Sequence, residues 1–430
     1  MNKYVRSIIA ILFPLLLTIN LWLLSKTDFK IVFQQPYRSL GQIFGLLGIV
    51  LMSMTLIMTT RIKKMEELFG GMDKVYSTHH ILGAVSFIFL INHPLLFIVQ
   101  SLPNLKVASL YLYPGVDLAY NLGIFGIYVM ILSFVFMVFI KLPYHIWKIT
   151  HQSLGLAFLL GAVHSLIIVS DVSAYPPLKI WIGFMIGIGL LSALYTIFFY
   201  QHLGPKFSYE IDKIERSLDI INIYLRPLGK KIINFIPGQF VYARFNNQVV
   251  GTEPHPFSLS SAPSDPLIRL TIKITGDYTL KLPNLKRGDR TYLFGPYGSF
   301  GQNINKEKSI WIGGGIGITP FLSMIRSESY CKDCTSTKVY YCYRTPEEGV
   351  FNSEIEQLVQ NTPNITFVKW CTEENRRLTA KKIIGLEDID NINSILCCGP
   401  PVMMESFKKQ FVELGLPEEK FYNEEFSTGL

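Results

Sequence analysis

Of the eight histidines in this 430-residue chain, His79, His80, His93, His151 and His164 fall in stretches otherwise apolar enough for a bilayer interior. An ionisable side chain in hydrocarbon is costly and marks function more often than packing. The two stretches open alike, "HHILG" at 79 and "HQSLG" at 151, each with a glycine four residues after its first histidine. Parallel helices would place His79 and His151 at one depth, and His93 and His164 at another about 20 Å away, at ~1.5 Å per residue. Two imidazoles per level is what bis-histidine haem ligation requires, and the separation leaves room for two stacked porphyrins. Glycines 83, 155 and 161 would let flat macrocycles approach the backbone. Helical phase selects His79 over His80, because His79 returns to within about 40° of the face of His93 whereas His80 misses by about 140°. His151 and His164 miss by about 140° as well, so the pairing requires a bent or overwound helix there. Interhelical hydrogen bonding is the competing reading. A metal without porphyrin lacks neighbouring carboxylates or thiolates at either depth. His80 is read as interfacial, and His145 and His202 as uninvolved.

The elements that must position these residues follow from composition. With 49% hydrophobic and 17% charged residues and a net charge of +8, and a mean hydropathy of +0.31, the chain is neither disordered nor purely soluble. Six stretches reach the ~20 residues that a bilayer demands: roughly 5–24, 38–60, 79–100, 118–140, 146–170 and 178–200. The first lacks a small-x-small cleavage site and is read as an anchor rather than a signal peptide. Lys3, Arg6, Arg61, Lys63, Lys64, Lys74, Lys141 and Lys148 then face the cytoplasm, against Lys26, Lys30, Arg38, Lys106 and Lys179 outside, which puts both termini in the cytoplasm. All six cysteines lie beyond residue 330, in a part read as cytosolic, and no disulfide framework is indicated. Cys331 and Cys334 form a lone CxxC, read as part of a surface loop. No EF-hand loop is present, and no nucleic-acid partner is expected.

Past about residue 203 the texture becomes short alternating runs broken by Gly and Pro, the mark of a folded α/β unit. Within it, "IWIGGGIGITPFLSMIR" sets an apolar strand before Gly313, Gly314, Gly315 and Gly317, with Thr319 and Pro320 opening a helix. Glycine permits a tight turn and close approach to a pyrophosphate, and a helix N-terminus favours an anion. The spacing G-x-G-x-x-P lacks the usual third glycine. Upstream stand "PGQF" (237–240), "HPFSLSSAP" (255–263), "IKITGDYT" (272–279) and "GPYGSF" (295–300). His255, Phe257, Ser258 and Ser260 offer an aromatic wall and hydroxyls suited to a flavin edge. Lys273 and Thr279 are placed to meet its phosphates. An ordinary barrel core explains any one of these motifs equally well; their order and spacing together do not come from a core alone.

With these motifs in this order, the chain resembles a bacterial member of the ferric reductase and NADPH oxidase superfamily over nearly all of its length. The resemblance implies a membrane all-α six-helix haem bundle over 1–203, an antiparallel β-barrel FAD-binding domain over 204–303 and an α/β NAD(P)H-binding domain over 304–430. The last two form a cytosolic ferredoxin-reductase-like module. Also implied are two haem b on the four histidines, with FAD at His255, Phe257, Ser258, Ser260, Lys273 and Thr279. NADPH or NADH is implied at Gly313 to Pro320, Arg344 of "YCYR", Arg377 of "RRLT", and Cys398 with Gly399 and Pro400 of "CGPP". Phe426 in "NEEF" matches the family's flavin-shielding aromatic, although four residues follow it here. Cys398 and Phe426 are the expected catalytic residues. Arg344 and Arg377 either grip a 2'-phosphate, which favours NADPH, or are solvated charges, which leaves NADH open.

The expected machine is an electron wire in the plasma membrane of a bacterium, from cytosolic NAD(P)H through FAD and two bis-histidine haems to an extracytoplasmic acceptor. In the oxidases of the superfamily, a histidine one turn beyond the outer ligand and an arginine at the outer end of the second span shape an oxygen pocket. Arg38 suits the arginine, but Phe97 stands at the histidine's place, and the loop "DVSAYPP" is short. Ferric iron is therefore expected ahead of oxygen reduced to superoxide, and peroxide is not expected. Phe158 is read as packing rather than as a stepping stone between haems. A haem-binding membrane anchor or electron carrier without enzyme activity is the remaining alternative, and the fused flavin and nicotinamide motifs oppose it.

Overall fold

Long apolar runs that cannot leave backbone groups unpaired in lipid must form helices. In the computed structural model, which describes residues 3–200, 204, 206–302, 306–327, 331, 334–385 and 389–424, they do. The chain divides into two compact units, Met1–His202 and Leu203–Leu430.

In the first unit, five helices are long and apolar enough to cross a membrane. They are α1 (Lys3–Leu24), α2 (Pro36–Met58), α3 (Met72–Ser101), α4 (Leu118–Phe139) and α7 (Pro176–Leu194), the last continuing as a π-helical turn to Phe199. Proline in the first turn opens α2 and α7, where its missing N–H costs nothing. Asp117 caps α4 by accepting from the Ala119 and Tyr120 N–H groups.

The crossing expected over 146–170 is not one helix. It consists of α5 (Tyr144–Gln152) and α6 (Leu154–Ile167), broken at Ser153. The Ser153 hydroxyl donates back to the Thr150 carbonyl at 2.6 Å and lies 2.6 Å from the Ser133 hydroxyl on α4, and Gly155 follows without a side chain to stiffen the turn. Ser153 itself keeps right-handed helical angles, φ −64° and ψ −17°. Five of the six expected stretches are thus single long helices, and the remaining one is two consecutive helices.

In the second unit, six antiparallel strands form a sheet in the order β4-β3-β6-β1-β2-β5. Their ranges are β1 Lys206–Ser217, β2 Ile220–Pro227, β3 Phe240–Phe245, β4 His255–Ser258, β5 Ile268–Lys273 and β6 Arg290–Tyr297. A bridge between Leu259 and Leu270 joins the two edges, so the sheet curls closed around Ile221, Ile223, Val241, Phe245, Leu270 and Leu293. Closure removes the exposed edges that would otherwise invite pairing.

The remaining strands form a parallel sheet, β11-β10-β7-β8-β9. They run β7 Lys308–Gly314, β8 Ser336–Tyr343, β9 Ile365–Cys371, β10 Ser394–Cys398 and β11 Phe421–Asn423. Successive residues of β7 face opposite cores. Trp311 packs with Phe321 and Leu322 of α8 (Thr319–Arg326) and Ile355 of α9 (Asn352–Gln360). Ile310 and Ile312 pack with Ile383 of α10 (Ala380–Ile384) and Phe407 and Phe411 of α11 (Pro401–Glu413). Helices on both faces explain why these strands read as continuous apolar runs. Cys331 and Cys334, expected on a surface loop, are buried in the Trp311 core.

Barrel and parallel sheet are tied by charge. Arg269 of β5, only 5% exposed, makes a two-pronged contact with Glu354 of α9 at 3.1 and 2.8 Å, and Arg326 of α8 reaches the same carboxylate at 2.7 Å. Ser323 of α8 donates to the Ser261 carbonyl at 2.7 Å.

Candidate functional site

The four intramembrane histidines meet in two pairs across α3 and the broken α5–α6 segment. His79 and His151 have ring centroids 5.8 Å apart, and His93 and His164 6.3 Å apart. Imidazoles bound through Nε2 to one metal at about 2 Å each have their centroids about 6 Å apart. The rings of His151 and His164 thus both reach α3 although an ideal helix would set them about 140° apart.

Each ring is oriented by its other nitrogen. Nδ1 of His93 donates to the Gly41 carbonyl at 2.7 Å, that of His164 to the Ala119 carbonyl at 2.7 Å, and that of His79 to the Thr55 carbonyl at 3.1 Å. His151 Nδ1 lies 3.2 Å from the Met137 thioether sulfur. None of these partners can donate, so each Nδ1 carries the proton and each Nε2 keeps its lone pair for a metal. Two ligands per level is half a tetrahedral set but a complete axial set for haem. Among the described residues, no group of three or more His, Cys, Asp and Glu is placed to hold a bare ion.

Glycines shape the surroundings of both pairs. A Cβ at Gly45 would lie 2.6 Å from His93 Nδ1, and one at Gly123 2.9 Å from His164 Nδ1, so each outer imidazole rests against bare helix backbone. At Gly155 nothing comes within 4 Å of a Cβ, at Gly83 only Thr55 Cγ2 at 4.0 Å, and at Gly161 Ile49 Cδ1 at 3.7 Å, so flat macrocycles fit beside these helices. The residues present therefore fit haem. Gly41, Gly45, Gly123 and the carbonyls of Thr55 and Ala119 were missed from the sequence. The signal available was the repeat of glycine at 41, 45 and 48 in α2 and at 123 and 126 in α4.

Phe158 is 1% exposed, and a Cβ on Gly189 would lie 2.9 Å from its ring. Phe97 stands edge-on to His93 at 5.0 Å and stacks on Tyr111, which in turn lies 5.8 Å from Tyr120. His80 is exposed, its ring 5.8 Å from that of His79.

In the second unit, the glycine-rich run sits where the strand order reverses. From β7 the chain moves to β8 and β9, then crosses back to β10 on the other side, which makes the carboxyl ends of β7 and β10 the switch point where open α/β sheets bind ligands. Gly313 and Gly314 end the strand, Gly315 takes φ +54°, and a Cβ at Gly317 would meet the Cys398 carbonyl oxygen at 2.3 Å. Thr319 and Pro320 then open α8. A Cβ at Gly399 would lie 3.1 Å from Gly314 Cα, so the glycine-rich turn after β7 and the Cys398–Pro400 turn after β10 pack against each other at the switch point. Arg344 and Arg377 are exposed on neighbouring loops, joined where the Glu373 N–H donates to the Arg344 carbonyl at 3.1 Å.

Burial pushes the Cys398 thiol well above its ordinary value, and Glu424 and Cys397 add to the effect, so it stays protonated at neutral pH. Glu424, overlooked in the sequence, is 4% exposed; a Cβ on Gly298 would lie 2.8 Å from its Oε1. "PGQF" and "GPYGSF" meet at the same place, since Gln239 Nε2 donates to the Gly298 carbonyl at 3.0 Å.

The flavin-side residues are less uniform. His255 stacks on Tyr278 with centroids 3.5 Å apart, bringing the "HPFS" strand to the "TGDYT" turn. Phe257 alternates with Ser258, which is buried. Ser260 is fully buried and bonded to the Arg269 carbonyl and the Thr271 hydroxyl, so it braces the barrel rather than facing a ligand. Lys273 pairs with Asp219 at 3.2 Å. The Thr279 hydroxyl accepts from the Thr275 and Gly276 N–H groups. Phe426, the four residues after it, and His202 lie outside the described residues, as does the His145 side chain.

Comparison with known proteins gives three matched segments. Residues 44–162 match the ferric reductase like transmembrane component, 216–299 an FAD-binding domain and 311–409 an oxidoreductase NAD-binding domain. Flavohemoprotein A of Dictyostelium discoideum is 27% identical over 233 residues, 50% of this chain and 58% of that protein. The reductase component of propane 2-monooxygenase from Rhodococcus jostii is 28% identical over 229 residues, 49% of this chain and 60% of that one. The chain thus spans less than two thirds of the length of these curated relatives. A flavohemoglobin structure from Malassezia yamatoensis, with FAD and heme bound, is alike in fold at a TM-score of 0.51 and 15% identity, over 94% of this chain and 99% of that one.

Proposed function

Because a ferric-reductase-like transmembrane component continues into FAD-binding and NAD-binding domains, the chain belongs to the ferric reductase and NADPH oxidase superfamily, and on that premise we propose that it moves electrons from cytosolic NAD(P)H across a bacterial plasma membrane to ferric iron. FAD, haem and the nicotinamide supply the hydride and one-electron chemistry when bound. The observation that carries the reading is the two cross-helix imidazole pairs, each with Nδ1 tied and Nε2 free.

In this reading residues 1–203 hold haem, 204–303 FAD and 304–430 the nicotinamide nucleotide, with both termini in the cytoplasm. His79 and His151 hold the inner haem, His93 and His164 the outer. Gly313, Gly315 and Gly317 let the backbone approach the pyrophosphate, and the N-terminus of α8 at Thr319 and Pro320 favours its charge. Arg344 and Arg377 meet a 2'-phosphate. Cys398, protonated and beside Gly399 and Pro400, positions the nicotinamide. His255, Phe257 and Ser258 line the flavin edge, Lys273 and Thr279 its phosphates, and Phe426 covers its ring. Phe97 supports ferric iron: an aromatic edge against the outer pair provides contact for outer-sphere transfer and no proton for reduced oxygen.

The test is an anaerobic absorption titration of the detergent-purified protein with NADPH or NADH, followed by a ferric chelate or oxygen. The flavin should bleach before the Soret band shifts, and the chelate should reoxidise the haem faster than oxygen does. Faster reoxidation by oxygen would move the assignment to superoxide formation. A protein without a Soret band overturns the haem reading.

A further inference from the structure

Three of the four histidines donate Nδ1–H to a backbone carbonyl, and the partners follow a register. On α2, Gly41 and Thr55 stand fourteen residues apart and receive His93 and His79. On α4, Ala119 receives His164, and the residue fourteen further on is Ser133. Ser133 instead meets the Ser153 hydroxyl at the helix break, and His151 turns to Met137, one helical turn beyond Ser133. The indole of Trp147 lies nearly parallel to the His151 ring, centroids 5.1 Å apart at 10°.

We propose that Met137, by replacing a carbonyl as the acceptor for His151, raises the reduction potential of the inner haem relative to one with two carbonyl-bonded imidazoles. This rests on the haem reading above. A carbonyl that accepts from Nδ1 makes an axial imidazole more basic and favours ferric iron. A thioether is a weak acceptor, so His151 donates less density and ferrous iron gains. Met137 is a positioning residue here, acting only through His151. The consequence is directional: the inner site takes an electron from the flavin side more readily than the register alone would allow.

The test is spectroelectrochemical titration of the purified holoprotein, wild type against Met137→Gln and Met137→Leu. Gln restores a carbonyl and should lower the midpoint of one haem by about 59 mV, a tenfold change in a one-electron equilibrium, while the other haem stays put. Leu removes the acceptor and should leave that same midpoint at or above the wild-type value. If Gln leaves both midpoints unmoved, if both haems shift together, or if Leu lowers the midpoint, the proposal is wrong. Should the Gln variant lose haem, Met137→Asn provides a shorter carbonyl with the same expected direction, and failure of both to lower the midpoint overturns the proposal. A wild-type protein without haem would instead overturn the underlying reading.

Discussion

Gly45→Ala tests whether the outer imidazole depends on bare helix backbone. The added methyl would sit 2.6 Å from His93 Nδ1 and 2.8 Å from Cε1, whereas nonbonded heavy atoms rest at about 3.5–4.0 Å. The ring must therefore shift by about 1 Å. That displacement stretches the 2.7 Å bond to Gly41 past the hydrogen-bonding range. Overpacking costs about 1–3 kcal/mol and the lost hydrogen bond about 1 kcal/mol, offset by roughly 0.5–1 kcal/mol for replacing glycine within a helix. A net of about 1–3 kcal/mol weakens outer haem retention about 5- to 150-fold. The assay is haem per FAD by pyridine haemochrome on purified protein, where the variant should fall from about two toward one. Gly187→Ala is the control, since nothing lies within 4 Å of its Cβ position. A Gly45→Ala protein with both haems and an unchanged low-spin spectrum would refute the reasoning.

Three further outcomes are expected. Gly317→Ala drives a methyl into the Cys398 carbonyl, so NADPH should bleach the flavin at least about tenfold more slowly at unchanged FAD and haem content; an unaffected rate removes the crevice from the nucleotide site. Arg377→Ser should raise KM for NADPH about tenfold and leave KM for NADH in place, a charge-assisted bond being worth about 1.5–3 kcal/mol; equal effects on both would make it a solvated charge. Burial pushes the Glu354 carboxyl up, but the Arg269 and Arg326 guanidiniums outweigh it and hold it below its ordinary value. Its stabilisation is then full above the unfolded value of about 4.3 and is lost as pH falls through the lower folded value. Glu354→Ala should cost about 3 kcal/mol at pH 7, read as earlier release of flavin fluorescence on heating, and the deficit should shrink in acid.

Depth was legible in the sequence because histidines stand out in apolar stretches and helical rise converts numbering into height. The phase mismatch of His151 and His164 spoke against their pairing, yet each of their rings meets its partner on α3. The Nδ1 partners were not legible, since a carbonyl belongs to every residue and only folding decides that Gly41, Thr55 and Ala119 supply theirs. Met137 was invisible for a related reason: only the packing of α4 against α5 brings its sulfur to His151. In the second unit the switch point was readable from Gly313 to Pro320, because close backbone approach leaves glycine as its trace. Ser260 misled because a hydroxyl near a motif gives no sign of which way its strand faces. Glu424 was missed because its place depends on β11 returning beside β10.

The measurement that bears most directly on the central claim is haem content and low-spin ligation in full-length protein carrying His79→Ala, His93→Ala, or both. Two haems in the wild type, one in each single variant and none in the double variant is the predicted series. Retention of both haems when either histidine is removed would contradict the paired-imidazole account.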